Sequence, residues 1–276
     1  MPEPSAMSRM ESLLSRMHLH SICESALCPN IGQCFERNTA TFLILGEICT
    51  RRCTFCAVKK GVPLPVDDRE PEQLLAAVAH LRLKHVVITS VTRDDLSDGG
   101  AAFFASVVRL LLEKTQTTIE VLIPDFQGSR ESLQKVAAAR PHVINHNLET
   151  VPRLYPDVRP QAGYDRSLEL LRRVKEFDPR IVTKSGLMLG LSETEDEVLA
   201  TMRDLRKRGC DLLTLGQYLQ PSASHHGIAR FIHPQEFERY ETAGKEMGFA
   251  AVASAPLVRS SFNAGDLYRK AKDWPQ

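Results

Sequence analysis

The sequence predicts an α/β fold, a partial TIM-like barrel built from six βα units. Two observations carry this prediction. Short β-branched runs alternate with longer amphipathic runs between residues 41 and 248, which is the pattern of strands and helices around a parallel sheet. Polar side chains recur where the predicted strands end, on the side of such barrels that carries active sites. Six units are too few to close an eight-stranded barrel, so we expect an open one.

Each predicted strand is a short apolar run rich in β-branched residues. These runs are Thr41–Gly46, His85–Ser90, Thr118–Ile123, His142–Asn147, Ile181–Leu189 and Leu212–Leu219. Each predicted helix is a longer amphipathic run, and several begin at Asp, Ser or Pro and end near Gly or Pro. These helices are Pro71–Leu83, Gly99–Lys114, Ser129–Ala139, Asp165–Phe177, Glu193–Arg208 and Pro234–Met247.

The predicted barrel divides the chain into three parts. Residues 1–40 form a cysteine-rich N-terminal extension, residues 41–248 form the barrel, and residues 249–276 form a C-terminal segment that we expect to close its mouth. That segment opens with a last apolar run, Phe249–Ser254. The run Met10–Leu19 has apolar residues at helical spacing, which predicts a helix that packs on the barrel as a lid.

The composition is that of an ordinary folded enzyme or binding protein. Of the 276 residues, 43% are hydrophobic, and 35 Lys and Arg face 34 Asp and Glu. A net charge of +1 offers no overall field for nucleic acid or a membrane surface. The sequence has no run of about 20 apolar residues and no apolar core of a secretory signal at its start, so we expect a cytoplasmic protein with reduced thiols.

Six of the seven cysteines lie between residues 23 and 56 and form two triplets. The triplets are Cys23, Cys28, Cys34 and Cys49, Cys53, Cys56. The length of the chain and the expected compartment disfavour a disulfide framework. Structural zinc usually takes four ligands, and each triplet has three. An iron–sulfur cube is the favoured hypothesis, because three thiolates on four irons leave one iron open to an outside ligand.

The second triplet also carries an aromatic residue directly before its last cysteine, in Cys49-Thr-Arg-Arg-Cys53-Thr-Phe55-Cys56. This motif resembles the cluster loop of radical S-adenosylmethionine (SAM) enzymes. The resemblance implies that SAM binds the open iron and that Phe55 lies along its adenine. It also implies that reductive cleavage of SAM yields a radical able to take hydrogen from an unactivated C–H bond, which demands a dry, closed site.

The first triplet narrows the resemblance to the lipoyl synthase family. Its spacing matches, and so do later stretches of the chain. These stretches are residues 87–100, 119–126, 143–150, 183–190, 215–221 and 258–261. The resemblance implies that the first triplet and the second serine of Arg259-Ser-Ser261 hold an auxiliary cluster, with Arg259 positioning that serine or the substrate. A serine oxygen is a poorer match for iron–sulfur clusters than a thiolate, as suits a cluster that is opened.

The implied reaction inserts two sulfur atoms from the auxiliary cluster into an octanoyl chain held on a lysine of a lipoyl carrier domain. The cofactors would be two [4Fe–4S] clusters and SAM. Expected partners are octanoylated carrier domains of dehydrogenase E2 subunits and the glycine cleavage H protein, a ferredoxin or flavodoxin electron donor, and a carrier that rebuilds the spent cluster. Both clusters should face one cavity.

Several other polar residues lie at predicted strand ends. We predict SAM contacts for Ser90, Asn147, Glu149 and Ser185, each of which could instead be a satisfied core group. Lys184 and Gln217 occupy similar positions, and Cys210 is expected in the core. Phe262 and Asn263 stand where the family usually shows Tyr and His.

Some alternatives stay open at this point. Arg51 and Arg52 could orient a carrier domain, shield the clusters or be exposed without a specific role. Adjacent His225 and His226 are expected to line the substrate entrance, since neighbouring residues do not share a helix face. The rival functions are another radical SAM sulfur-inserting enzyme and a non-catalytic cluster or zinc module. An RNA-modifying enzyme is disfavoured by the balanced charge.

Overall fold

A computed structural model describes residues 4–37 and 40–272. Residues 1–3 and 38–39 of the predicted N-terminal extension and residues 273–276 of the predicted C-terminal segment lie outside this range. Within the described range no helix is both long enough and apolar enough to cross a bilayer.

The described residues form one eight-stranded sheet whose strand order follows the chain. The strands are β1 (His20–Ser21), β2 (Thr41–Ile44), β3 (His85–Ser90), β4 (Thr118–Leu122), β5 (Val143–Asn145), β6 (Val182–Leu189), β7 (Leu212–Gln217) and β8 (Ala251–Ser254). The short β1 runs antiparallel to β2, and every later neighbour pairs in parallel. Inner and outer faces of the sheet are both buried, as parallel sheets require.

The helices cover the outer face of the sheet and the ends of the barrel. They are α1 (Pro4–Arg16), α2 (Ile22–Ser25), α3 (Ile31–Glu36), α4 (Glu70–Leu81), α5 (Ala101–Lys114), α6 (Arg130–Ala138), α7 (Tyr155–Val158), α8 (Tyr164–Phe177), α9 (Glu195–Lys207), α10 (Pro234–Glu246) and α11 (Ala264–Lys272). One long helix follows each strand from β2 to β7, so the six predicted βα units and the α/β partial barrel are confirmed.

The sheet has one parallel strand more than the sequence predicted. The run Phe249–Ser254 was expected to open the C-terminal segment, whereas Ala251–Ser254 pairs with β7 in the register Leu212↔Ala251. Periodicity alone cannot distinguish a short continuous apolar run such as Phe249–Ser254 from a buried segment of another kind. The barrel strands therefore extend beyond residue 248.

The C-terminal helix closes the end of the barrel opposite the predicted one. Leu267 of α11 packs on Leu212 and Ala251, the first residues of β7 and β8. The Tyr268 ring contacts His85, the first residue of β3, with centroids 6.1 Å apart. These contacts place α11 at the amino ends of the strands, whereas the mouth of a βα barrel lies at their carboxyl ends.

The N-terminal helix α1 supports the extension without acting as a lid. Met10, Leu13 and Leu14 are buried in the main core, and α1 packs against α3. No described residue of α1 lines either of the two barrel cavities described below. The predicted helix is therefore present, but the predicted lid is wrong.

Candidate active site

Two cavities lie end to end inside the barrel. Thr41 of β2 and Val87 of β3 border the first cavity. Leu43 of β2 and Thr89 of β3, each two residues further along its strand, border the second. Residues two apart on a strand share a face and are roughly 7 Å apart. We call the cavity at the carboxyl ends of the strands the upper cavity, of about 300 Å³, and that at the amino ends the lower cavity, of about 430 Å³.

The upper cavity is lined by the second cysteine triplet, Cys49, Cys53 and Cys56, on the loop that follows β2. All three are free thiols. Burial raises the pKa of Cys56 to about 12. Burial also raises the pKa of Cys53, and the positive charge of Arg159 opposes that shift. Such thiols are protonated at neutral pH, so a bound metal must displace their protons.

Arg51 fixes this loop from inside the protein. Its guanidinium donates to Asp94 through Nε at 2.7 Å and through Nη2 at 3.0 Å, and to Asp125 through Nη2 at 2.5 Å. The Arg51 side chain is only 5% exposed, so the alternative of an exposed arginine without a specific role is wrong here. Neighbouring Arg52 is exposed, and its backbone N–H donates to Gln161 Oε1 at 2.7 Å.

Three of the four residues predicted to contact SAM from strand ends line the upper cavity, as does Phe55. Ser90, Asn147 and Glu149 border it, whereas Ser185 does not. Ser185 is fully buried, and its Oγ accepts the Leu148 N–H at 3.2 Å. Its side chain therefore braces the neighbouring strand end, which is the satisfied core role that sequence position alone could not distinguish.

The polar groups of the upper cavity are incompletely paired. Within the described residues, Ser90 Oγ, Asn147 Oδ1 and Arg159 Nε are buried and have no hydrogen-bond partner. Buried polar atoms of folded proteins nearly always have a partner. The same cavity thus offers thiols, an aromatic face and orphaned donors and acceptors, which fits a large polar ligand beside a cluster.

Glu149 is held in an unusual backbone conformation at the end of this wall. Its φ is +67°, in the left-handed region that non-glycine residues rarely adopt. The backbone N–H donates to Gly186 O at 2.9 Å, and Asn147 Nδ2 donates to Glu149 Oε1 at 3.0 Å. Burial raises the pKa of Glu149, and the Arg159 charge opposes the shift.

Arg159 is the functional residue that the sequence reasoning missed. Its Nη1 donates to the carbonyls of Asn147 and Leu148, at 2.8 and 3.0 Å, and its guanidinium lies over the Tyr155 ring. The side chain lines the upper cavity, where its charge acts on Cys53 and Glu149. The sequence offered one indication, which is that Arg159 places a positive charge in the same βα connection as Glu149.

The lower cavity brings together the other triplet and the predicted serine. Cys23, Cys28, Cys34 and Ser261 all line it. Local backbone bonds set the cysteine spacing, since Cys28 N–H donates to Cys23 O at 2.9 Å and Cys34 N–H to Asn30 O at 3.0 Å. Asn30 Nδ2 donates across to Leu257 O at 2.7 Å and so joins the extension to the C-terminal segment.

The Arg-Ser-Ser run forms the boundary between the cavities. Arg259 lines both, Ser260 lines the upper and Ser261 the lower. Asn147 Nδ2 donates to Ser260 Oγ at 3.2 Å. Val258, the residue before this run, passes so close to β7 that a Cβ on Gly216 would lie 2.0 Å from Val258 O, so this crossing requires glycine.

The two residues that depart from the family pattern lie at the same cavity. Asn263 has a φ of +51°, a region that Asn tolerates better than most residues. Its carbonyl accepts the N–H groups of Asp266 and Leu267 at 3.0 and 3.2 Å and begins α11. Phe262 lines the lower cavity. Asn263 therefore has a backbone role that asparagine can fill.

Several remaining polar candidates have structural partners. Lys184 is fully buried and bonds Glu120 Oε1 at 2.8 Å, Gln217 Nε2 donates to Tyr218 O at 3.0 Å, and Cys210 is in the core as predicted. His226 donates its backbone N–H to Thr54 O at 2.9 Å, while neither His225 nor His226 borders the upper or lower cavity.

Within residues 4–37 and 40–272, no three His, Cys, Asp or Glu side chains converge to hold one metal. Thiolates on one zinc lie within roughly 4 Å of each other, because each Zn–S bond is about 2.3 Å. In a four-iron cube each thiolate binds a different iron.

Comparison with known proteins assigns the class. Residues 43–205 match the model of the radical SAM superfamily. Methylornithine synthase (PylB) superposes with a TM-score of 0.53 at 14% identity, covering 82% of this chain and 67% of that one. SuiB of Streptococcus suis gives 0.59 at 11% identity, over 79% and 50%. These two likenesses show the fold, and the matching model makes the chain a radical SAM protein.

The curated relatives are far more similar. A lipoyl synthase of Caldanaerobacter subterraneus subsp. tengcongensis is 56% identical over 94% of this chain and 91% of its own length. That of Alkaliphilus metalliredigens is 55% identical over 96% and 91%. The chain belongs to the lipoyl synthase family. It is a radical SAM sulfur-inserting enzyme with SAM and [4Fe–4S] clusters as cofactors, as the sequence predicted.

Proposed function

We propose that the upper and lower cavities are two halves of one active site for lipoyl synthesis. Cys49, Cys53 and Cys56 hold the cluster that binds SAM in the upper cavity. The lower cavity holds the auxiliary cluster on Cys23, Cys28, Cys34 and Ser261. One observation carries this proposal. The two triplets line cavities that share Arg259 as a wall residue, and the next two residues, Ser260 and Ser261, line one cavity each.

The charges of the upper cavity suit the two ends of an amino acid. Glu149 offers a carboxylate to the SAM amine, and Arg159 offers a guanidinium to its carboxylate. Ser90 Oγ and Asn147 Oδ1, both unpartnered among the described residues, are available to ribose hydroxyls. Phe55 presents an apolar face of the size an adenine needs.

Bound SAM and its cluster supply the radical that takes hydrogen from the octanoyl chain, and the auxiliary cluster supplies the sulfur. The protein itself must exclude water and hold the alkyl chain between the cavities. Leu43, Leu122 and Val58 give the upper cavity apolar walls for that chain. Arg259, which borders both cavities, positions Ser261 at the boundary.

The partners follow from this chemistry. The substrates are octanoylated lipoyl carrier domains of dehydrogenase E2 subunits and the glycine cleavage H protein. A ferredoxin or flavodoxin supplies electrons, and an iron–sulfur carrier rebuilds the consumed cluster. The six thiols must stay reduced to bind iron, which supports a cytoplasmic location for the reaction.

The decisive experiment compares the two triplets by mutation. Anaerobically reconstituted protein is expected to hold about eight irons and to convert an octanoyl-lysine peptide with SAM and dithionite. Cys23→Ala with Cys28→Ala should retain about four irons and form 5′-deoxyadenosine without thiolated peptide, whereas Cys53→Ala should form neither product. Thiolated peptide from the Cys23→Ala/Cys28→Ala variant would refute the proposed roles.

A further inference from the structure

A short exposed segment beside the upper cluster loop has no role in either cavity. We call residues 59–64, Lys59-Lys-Gly-Val-Pro-Leu64, the 59–64 segment. Val62 is 88% exposed and Leu64 is 74% exposed. Apolar side chains scattered singly on a surface are ordinary, but here two of the most exposed ones share one segment with two lysines.

The backbone of this segment is bonded directly to a predicted cluster ligand. Cys49 N–H donates to Lys59 O at 2.8 Å, and Gly61 N–H donates to Cys49 O at 3.1 Å. A partner seated on the segment would therefore be separated from Cys49 by a single hydrogen-bonded strand of backbone. Pro63 and Pro65 restrict the backbone there, so the surface is already ordered before a partner binds.

The 59–64 segment itself carries two positive charges and no negative one. Lys59 and Lys60 are exposed, and Arg52 of the cluster loop is exposed as well. Glu47 offsets part of this charge, since its carboxylate lies 3.5 Å from Lys59 Nζ. That pair is solvent-exposed and correspondingly weak, so Lys59 remains available to a partner. An apolar centre with a basic rim fits a protein with an acidic docking face.

The position of the segment distinguishes between possible partners. An octanoylated carrier domain must sit over a cavity opening to insert its acyl chain, and residues 59–64 line neither cavity. A partner on this surface gains proximity to Cys49 without access to the interior. An electron donor needs that proximity alone.

We propose that the 59–64 segment and Arg52 form the docking surface for an acidic one-electron carrier protein that reduces the cluster on Cys49, Cys53 and Cys56. This inference rests on the proposed function of that triplet. In each cycle the donor gives up one electron and is oxidised by one equivalent. The electron passes to the cluster, where it is consumed in the reductive cleavage of SAM.

The test reverses the two lysines and measures donor binding separately from chemistry. Lys59→Glu with Lys60→Glu, in cluster-loaded protein, should weaken binding of oxidised flavodoxin by about tenfold or more and reduce the salt dependence of binding. Flavodoxin-driven 5′-deoxyadenosine formation should require correspondingly more donor. With dithionite in place of flavodoxin, the rate should stay within roughly twofold of the unmodified protein, because dithionite needs no protein contact.

Two further variants keep the outcome decisive. Arg203→Glu with Lys207→Glu makes the same charge change on exposed residues of α9 and should leave flavodoxin binding unchanged. Val62→Ser with Leu64→Ser removes the apolar centre without altering charge and should also weaken flavodoxin binding. If the lysine variant loses iron, the binding measured for this second variant is the test. Unchanged flavodoxin binding in Val62→Ser/Leu64→Ser, or weakened binding of the octanoylated carrier instead, would overturn the proposal. Failure of the unmodified protein to thiolate substrate with dithionite would instead refute the proposed function.

Discussion

The two thiol triplets share one barrel but are held in place by different kinds of bond. The upper triplet sits on a loop fixed by the buried guanidinium of Arg51, which bonds Asp94 and Asp125. The lower triplet sits on two short helices and the turn between them, and it is joined to the C-terminal segment through the amide of Asn30. Charged bonds between distant strand ends make a rigid support, whereas local helical bonds and a neutral amide open more easily. The difference suits one cluster that is retained and another that is consumed.

The largest effect is expected at Arg51. Arg51→Met keeps much of the side-chain volume but leaves the fully buried Asp125 carboxylate with reduced compensation. Removing one partner of a buried ion pair costs about 3–5 kcal/mol. Urea unfolding of metal-free protein should show this loss, and reconstituted protein should lose iron from the upper triplet first.

Arg52→Met is the matched control for Arg51→Met. Arg52 is the adjacent arginine but is exposed, so its replacement should change the free energy of unfolding by less than about 0.5 kcal/mol. Equal stability of the two variants would show that the buried network does not support the loop.

The same network predicts an acid-dependent loss of stability. Burial alone would raise the pKa of Asp125, but the bonds from Arg51 outweigh it and hold that pKa below the ordinary 3.8. The stabilisation by this carboxylate is complete above pH 3.8, its value in the unfolded chain, and is lost as the pH falls through the lower folded value. The free energy of unfolding should therefore fall less steeply with decreasing pH in Asp125→Asn than in the unmodified protein. A variant with the unmodified slope would contradict the assignment.

A smaller and local effect is expected at the lower site. Asn30→Ala removes the bond to Leu257 O and leaves that carbonyl without this donor, at a cost of about 1–2 kcal/mol. Brief treatment with a chelator should then strip the lower cluster and leave about four irons of eight. Gln33→Ala, an exposed position on the same helix that borders the same cavity, should keep the full iron content. If the chelator removed the upper cluster first, the lower triplet would not be the more weakly held of the two.

The smallest effects separate the two adjacent serines. Ser260→Ala removes one hydrogen bond from Asn147, worth about 1 kcal/mol or less, so it should raise the KM for SAM without changing iron content. Ser261→Ala should lower the iron content of the lower site and leave the KM for SAM unchanged. If the two variants changed iron content and the KM for SAM in the same way, the Arg-Ser-Ser run would not form the boundary between the cavities.

Much of the fold could be predicted because strand and helix patterns are local. The six strands were found from short β-branched runs, and the cysteine triplets from their spacing. The parallel strand that was missed, Ala251–Ser254, has a burial pattern that does not alternate between buried and exposed positions. The end closed by α11 depends on Leu267 meeting the first residues of β7 and β8, a contact across more than one βα unit that no local pattern encodes.

The parts of the site that the sequence predicted are those whose residue type has few alternative roles. Cysteine spacing identified both triplets, while Ser185 and Arg159 needed the packed structure to be placed. Ser185 lies in the middle of β6. The side chain of a serine on a strand faces either the cavity or a neighbouring backbone N–H, and the rotation of the strand decides which. Arg51 illustrates the same limit, because its partner Asp125 lies 74 positions away in the chain.

The crossing of the Arg-Ser-Ser run has a geometric consequence. Arg259 borders both chambers, and the next two residues border one each. Because successive Cα atoms are 3.80 Å apart, Arg259 and Ser261 can be separated by at most about 7 Å. Covalent bonds therefore set an upper limit on how far this run can separate residues that border the two cavities. A group bound in one cavity therefore remains close to a group bound in the other as long as residues 259–261 keep this position.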